Sequence, residues 1–294
     1  MYSIIGILIV LGSVVGGFLM EKGKLLVLLQ PSEFITIAGA ALGTVLVANP
    51  VHILKGIARG LTGVVKGSAV SEKSYIDLLK MLFEIFTKAR RDGMVAIEAD
   101  IEEPEKSPIF SKYPEFLNDH HVTAFVCDTM RMAITGGVKP FDLDQMMELD
   151  LEVHHQTSTA PTQALTSMAD ALPGLGIVAA VLGIVVTMGA IGGPPAEIGR
   201  KVAAALVGTF LGILLCYGVV GPLAANMVKA VEEKHAYYGV LRTTLLAFIK
   251  GTAPIMAVEI GRRGIPEYVR PKFAEMEKAC RDRGASATPR EAAA

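Results

Sequence analysis

Hydrophobic and polar positions alternate along this chain on two scales. Long uncharged runs mark membrane segments, and between them shorter apolar stripes recur at helical spacing. Two of the uncharged runs, Ala171 to Ala196 and Val202 to Val228, flank a short stretch containing Arg200 and Lys201. At about 1.5 Å per residue each crosses a bilayer core, so they predict a membrane hairpin that turns at those charges. Tyr2 to Met20 and Phe34 to Ala48 predict an earlier hairpin, with Glu21, Lys22 and Lys24 ending its first segment and Asn49-Pro50 closing its second. The first segment has no basic leader and no small-residue cleavage site, and reads as a retained span, not a signal peptide.

The polar remainder is also helical in period. Glu72 to Arg91 carries Ile76, Leu79, Phe83 and Phe86 on one stripe and stops at Asp92-Gly93. An acidic, proline-punctuated loop runs from Glu102 to Pro108. Pro114 to Thr135 predicts a further helix, stopped by Gly136-Gly137. Phe141 to Val153 starts another, with Asp142 as its cap, leading toward Asp170 and the third span. After Val228 no proline intervenes until Pro254, so the fourth span predicts a helix that continues beyond the membrane. Gly284 to Ala294, rich in Ala, Ser and Pro, reads as a disordered tail. The expected fold is all-α: a polytopic membrane protein with four transmembrane helices and a helical cytoplasmic domain. Its parts are a hairpin at 1–52, an insert at 53–169, a second hairpin at 170–228 and an extension with tail at 229–294. Lys55, Arg59, Lys66, Lys229, Lys234 and Arg242 flank the spans on the insert side, against Lys22, Lys24, Arg200 and Lys201 in the short loops. That bias places the insert and the extension in the cytoplasm.

The second hairpin holds two prolines, Pro173 and Pro222, almost equally far from the expected turn, so an antiparallel pair would bring them to one depth. An interior proline would free the carbonyls of Ala169 and Gly218, which in lipid need another partner. The alternative is that Pro173 sits in a first helical turn and Pro222 at an exit. Neither run contains Asp, Glu, His, Lys or Arg; Thr187, Thr209 and Tyr217 are the main polar side chains. An ion pathway here would therefore take its titrating group from another chain. Ala204, Gly208 and Gly212, and likewise Gly176 and Ala180, recur every four residues as faces for close helix approach, either to such a partner or within the chain. Gly12 with Gly16 and Gly39 with Gly43 repeat the spacing in the first hairpin.

Composition narrows the classes. Of 294 residues 51% are hydrophobic and the net charge is −1, which argues against a nucleic-acid partner. Cys127, Cys216 and Cys280 are widely spaced and match no metal pattern; His154-His155 near Glu148 and Glu152 match no ligand spacing and read as a solvated helix face. No nucleophile elbow, Walker loop or zinc-protease motif occurs, and no Gly-rich dinucleotide fingerprint in a strand context, so neither an enzyme nor a cofactor is expected. Lys88, Arg90, Arg91, Asp92, Glu98 and Asp100 gather both charge signs at one helix–turn–helix corner, fit to dock a partner or to stay solvated.

Several stretches carry a resemblance. Leu172-Pro173-Gly174-Leu175-Gly176-Ile177-Val178-Ala179-Ala180-Val181-Leu182-Gly183 is similar to the MotA family of flagellar motor stator proteins. So is Val207-Gly208-Thr209-Phe210-Leu211-Gly212-Ile213-Leu214-Leu215, followed by Tyr217-Gly218 and Gly221-Pro222-Leu223-Ala224. Gln30-Pro31-Ser32-Glu33, Ile37-Ala38-Gly39-Ala40 and the Arg90 to Glu98 segment fit as well. The resemblance implies a torque-generating unit in the bacterial inner membrane, in contact with lipid, in which several copies, understood as five, surround two copies of MotB. MotB would supply the membrane aspartate this chain lacks. By the same resemblance Pro173 and Pro222 lie near that aspartate, and Arg90 and Glu98 engage the rotor protein FliG. Ala180 stands where sodium-driven relatives carry threonine, and its methyl offers no oxygen ligand. Thr209 fits both branches, so protons are the expected ion. The competing expectations are an energising subunit of the ExbB/TolQ type, which has three spans, and an autonomous ion channel.

Overall fold

Each apolar run becomes a helix in the computed structural model, which describes residues 2–67 and 70–284. The tail expected beyond Gly284 lies outside the described residues. No strand occurs among the described residues, and four helices are long and apolar enough to span a membrane. Contacts divide the chain into two units, Met1–Ser68 with Gln156–Val231, and Ala69–His155 with Glu232–Ala294.

The first unit begins with α1 (Tyr2–Met20), a single turn α2 (Leu25–Leu28) and α3 (Pro31–Ala48). Proline starts α3 at no cost, because a first-turn N–H has no partner in any helix. After Asn49-Pro50 comes α4 (Val51–Lys66), which stops at Gly67 with φ +75°, a left-handed cap that glycine adopts freely. The unit is completed by part of α9 (Pro140–Met188), by α10 (Pro195–Leu215), a π turn (Cys216–Val220) and the start of α11 (Gly221–Ile249). Ile37 and Ala41 of α3 pack with Leu172, Ala179 and Cys216. Val64 of α4 packs with Leu165, Ala224 and Met227.

Small residues bring α9 and α10 together. A methyl on Gly212 would stand 2.6 Å from the Leu172 carbonyl oxygen and 2.9 Å from Gly176 Cα. One on Gly176 would stand 2.8 Å from the Gly208 carbonyl oxygen. Backbone thus lies on backbone, the van der Waals route to helix association in lipid. The small-residue faces at Gly176, Gly208 and Gly212 are therefore spent within the chain. At Gly12, Gly16, Gly39 and Gly43 an added methyl would meet nothing within 4 Å, and those faces remain open.

The turn of this hairpin is not at Arg200 and Lys201. It lies between Met188 and Pro195, where the Ala190 N–H donates to Thr187 O and the Gly193 N–H to Ala190 O, each at 2.9 Å. Gly192-Gly193-Pro194-Pro195 break the helix, whereas charge alone does not. Arg200 and Lys201 fall inside α10, and Lys201 pairs with Glu197 at 3.4 Å.

In the second unit α5 (Glu72–Asp92) is capped by Ser71, whose Oγ accepts from the Ser74 N–H, and it ends at Gly93 with φ +93°. Then follow α6 (Glu98–Glu102), α7 (Pro114–Asn118) and α8 (His120–Thr135). The single helix expected over Pro114 to Thr135 is thus two. Asp119 interrupts it by accepting the Val122 N–H on its own Oδ1, 3.3 Å away, starting α8 afresh. Parts of α9 and α11 join α12 (Pro254–Gly264) and α13 (Phe273–Gly284). Leu82, Ile85 and Phe86 of α5 meet Phe125, Met130, Leu241 and Leu245 in one core. There Phe86 stacks on Phe248, centroids 4.1 Å apart. Cys127, Cys216 and Cys280 are free and buried.

Candidate ion pathway and docking corner

Helix α9 runs unbroken from Pro140, so Pro173 lies deep inside it and not in a first turn. Its ring nitrogen cannot donate to the Ala169 carbonyl. Pro161 repeats the device and was not singled out by the sequence pattern; its ring lies against Gly56 of α4, where a methyl would come within 2.5 Å of Cγ. Pro222 follows the π turn after one residue, Gly221. With no N–H to offer Gly218, it leaves the Gly221 N–H to bond Cys216 O in the wider π pattern.

The helix register does not bring the two prolines to one depth. Leu172 faces Gly212, and Pro222 lies ten residues farther along the same arm of the hairpin, about 15 Å of helix. The difference follows from the turn, which lies several residues earlier than the charges suggested. Ala180 is buried, with its backbone nitrogen 3.1 Å from where a methyl on Gly208 would stand. Thr209 is half-buried. Thr187 donates to Gly183 O at 2.8 Å, satisfying itself within α9.

One acid of the spans escaped the sequence reading. Glu33, named only within the Gln30 to Glu33 stretch and given no role, immediately precedes the apolar run that begins at Phe34. It is 8% exposed, with its carboxylate turned between α9 and α10. A methyl on Gly208 would stand 2.6 Å from Glu33 Oε2, and one on Gly183 would stand 3.5 Å from Oε1. Only the positions of Gly183 and Gly208 on the neighbouring helices reveal this, and they carry no sequence signal of a buried acid.

At the charged corner of the second unit the six residues separate by role. Lys88 Nζ lies 2.6 Å from Asp100 Oδ2; Asp100 is 3% exposed and also accepts from Ser107 Oγ at 2.6 Å. Ser107 Oγ in turn accepts the Ile109 and Phe110 N–H groups, fixing the loop. Arg91 pairs with Asp92 at 2.8 Å. Arg90 and Glu98 are exposed and form no ion pair among the described residues. The corner is thus pinned from within and presents those two charges outward.

His154 is not on a solvated face. Its ring lies 3.9 Å from that of His121 and 4.8 Å from that of Tyr238, because α8 and α11 cover this side of α9. Burial, with His121 and Lys234 adding to it, pushes the His154 imidazole down to about 4. No group of three or more potential metal ligands occurs among the described residues.

Family profiles match two stretches of the chain: the N-terminal region of motility protein A over residues 4–93, and the MotA/TolQ/ExbB proton channel family over residues 118–238. Motility protein A of Escherichia coli K12 is 39% identical over 278 residues, covering 95% of this chain and 94% of that protein. The chain belongs to the motility protein A family. Chemotaxis protein LafT of Vibrio parahaemolyticus is 37% identical, covering 95% of this chain and 98% of its own. The fold also matches two solved structures. In the C. jejuni MotAB structure the TM-score is 0.75 at 20% identity, over 90% of this chain and 96% of that one. In the flagellar MotAB stator complex from Bacillus subtilis it is 0.71 at 22% identity, over 97% and 99%. As a member of the motility protein A family the chain is a flagellar stator subunit of the proton-channel type, and the family is not one of enzymes.

Proposed function

We propose that several copies of this chain, five by the family pattern, surround a MotB partner in the bacterial inner membrane and pass protons along the partner's membrane aspartate to drive rotation. The observation that carries the reading is the outward surface of α9. Ile177, Val178, Val181 and Val185 are each at least half exposed, and no ionisable side chain occurs between Ala171 and Met188. Such a face offers apolar contact to lipid or to a partner helix and leaves the charge to the partner. Pro173 and Pro222 loosen the backbone of the helices beside the pathway, at separate depths. Ala180 presents a methyl where a sodium site would want an oxygen, and Thr209 lies on the adjoining helix. The second unit is cytoplasmic in this reading, and its exposed Arg90 and Glu98 contact the rotor protein FliG. Each proton crossing 100 mV supplies about 2.3 kcal/mol, which suits repeated small steps.

The test is proton flux into vesicles carrying this chain, a MotB chain, or both. Flux with both chains only, lost when the partner's aspartate becomes alanine, is the expected result; equal flux from this chain alone would overturn the reading. In swimming cells Arg90→Glu should abolish rotation while that flux persists, and an opposite charge reversal on FliG should restore part of the rotation.

A further inference from the structure

We propose that Glu33 is a second proton-binding site of the pathway, loaded from the loop side of the α9–α10 hairpin before the proton reaches the partner's aspartate; this rests on the stator reading above. Among the acids of the first unit Glu21, Asp170 and Glu197 are exposed, and Glu33 alone is buried. Its Oε2 is enclosed and has no hydrogen-bond partner. An ionised carboxylate enclosed with an unsatisfied oxygen is strongly disfavoured, and a proton on that oxygen removes the charge, the larger part of the cost.

The surroundings are shaped to the carboxylate. Gly208 of α10 leaves the notch that it fills, since a side chain there would meet Oε2, Ala179 Cβ and the Ala180 nitrogen, while Gly183 of α9 lies in ordinary contact distance of Oε1. Gly183 lies five residues before the end of α9 at Met188, so the notch is about 8 Å of helix inside the loop. A proton entering from that side meets Glu33 early. Ala180 supplies no oxygen here, and a sodium ion would need several. The carboxylate itself suffices for a proton. No other ionisable side chain occupies the apolar stretch of α9. The nearest on α10, Lys201, precedes Gly208 by seven residues and is paired with Glu197.

The step is a simple transfer. The Glu33 carboxylate takes H⁺ from hydronium at the loop face, leaving water and the neutral acid. The acid then gives that proton to a carboxylate oxygen of the partner and returns to its charged form.

The experiment uses the full chain assembled with MotB in vesicles, and reads flux against pH on the loop side for wild type, Glu33→Gln and Glu33→Asp. Glu33→Gln, which fills the notch but holds no transferable proton, should cut flux at least about tenfold and remove one titration step from the profile. Glu33→Asp should keep conduction and shift the pH of half-maximal flux. Wild-type flux and profile in Glu33→Gln would overturn the proposal. Infrared difference spectra of the wild-type complex between two pH values give a readout independent of how the glutamine variant assembles. A protonated-carboxyl band that survives the partner's aspartate-to-alanine change and moves in Glu33→Asp supports the site, and its absence overturns it. A complex that conducts nothing, with or without the partner's aspartate, would remove the stator reading, while the infrared band would still decide Glu33.

Discussion

At Gly212 a single methyl decides how near two membrane helices can come. Its neighbours are the Leu172 carbonyl oxygen and Gly176 Cα, both backbone, so neither can swing aside. Gly212→Ala must push α9 and α10 apart and should destabilise the purified chain by about 1–3 kcal/mol, the usual cost of overpacking. Gly39→Ala, with nothing within 4 Å, is the matched control and should melt like wild type in the same micelles. Equal melting of the two variants would show that the helices have slack at Gly212. Residue spacing made this glycine face legible in the sequence, but spacing reveals that a face exists and not what lies against it. Glu33 is the converse case: its chemistry was plain and its direction was not, since a carboxylate ahead of an apolar run can point either way until Gly183 and Gly208 are seen beside it.

Among the elements, the spans were legible from hydrophobic length and α5 from its apolar stripe and the Asp92-Gly93 stop, while the Ser71 cap emerged only in the structure. The hairpin turn was misplaced because charge was weighted above backbone preference, and the Gly192 to Pro195 stretch settles it. The π turn had no signature beyond Pro222 itself. If the missing N–H of Pro222 holds that turn open, Pro222→Ala restores a donor to Gly218 and should close the turn toward α geometry, worth about 1 kcal/mol. Amide exchange near residues 221–223 should slow accordingly. Unchanged exchange would assign the widening to Gly218 and Gly221 instead.

For the whole molecule, the alternation of apolar and polar stretches suggested four parts, 1–52, 53–169, 170–228 and 229–294, whereas contacts group the chain into two units with boundaries at 69, 156 and 232. The histidine packing was not visible, because it joins α8, α9 and α11 across distant sequence. It makes the fold acid-sensitive. His154 outside the apolar stretch is held neutral, pushed down to about 4 from an ordinary 6.5 by burial and then by His121 and Lys234, with Tyr238 and His155 also beside it and Asp119 opposing. Between those pH values the unfolded chain binds more protons than the folded one, so stability rises with pH across the window and is lost as pH falls from about 6.5 toward 4. With partial exposure discounted, the contribution is on the order of 1–2 kcal/mol. Denaturation at pH 7.5 and pH 5 should show a smaller loss for His154→Gln than for wild type. Equal losses would place the acid sensitivity elsewhere.

The three thiols have a practical side. All are buried, and burial pushes Cys127 up to about 12 and Cys280 to about 11, so neither forms appreciable thiolate at neutral pH. To a maleimide dye the native chain is close to blank. One cysteine placed at an exposed position such as Glu98 would carry the only fluorophore, and the charged corner at the end of α5 could be followed by light without first replacing the protein's own thiols.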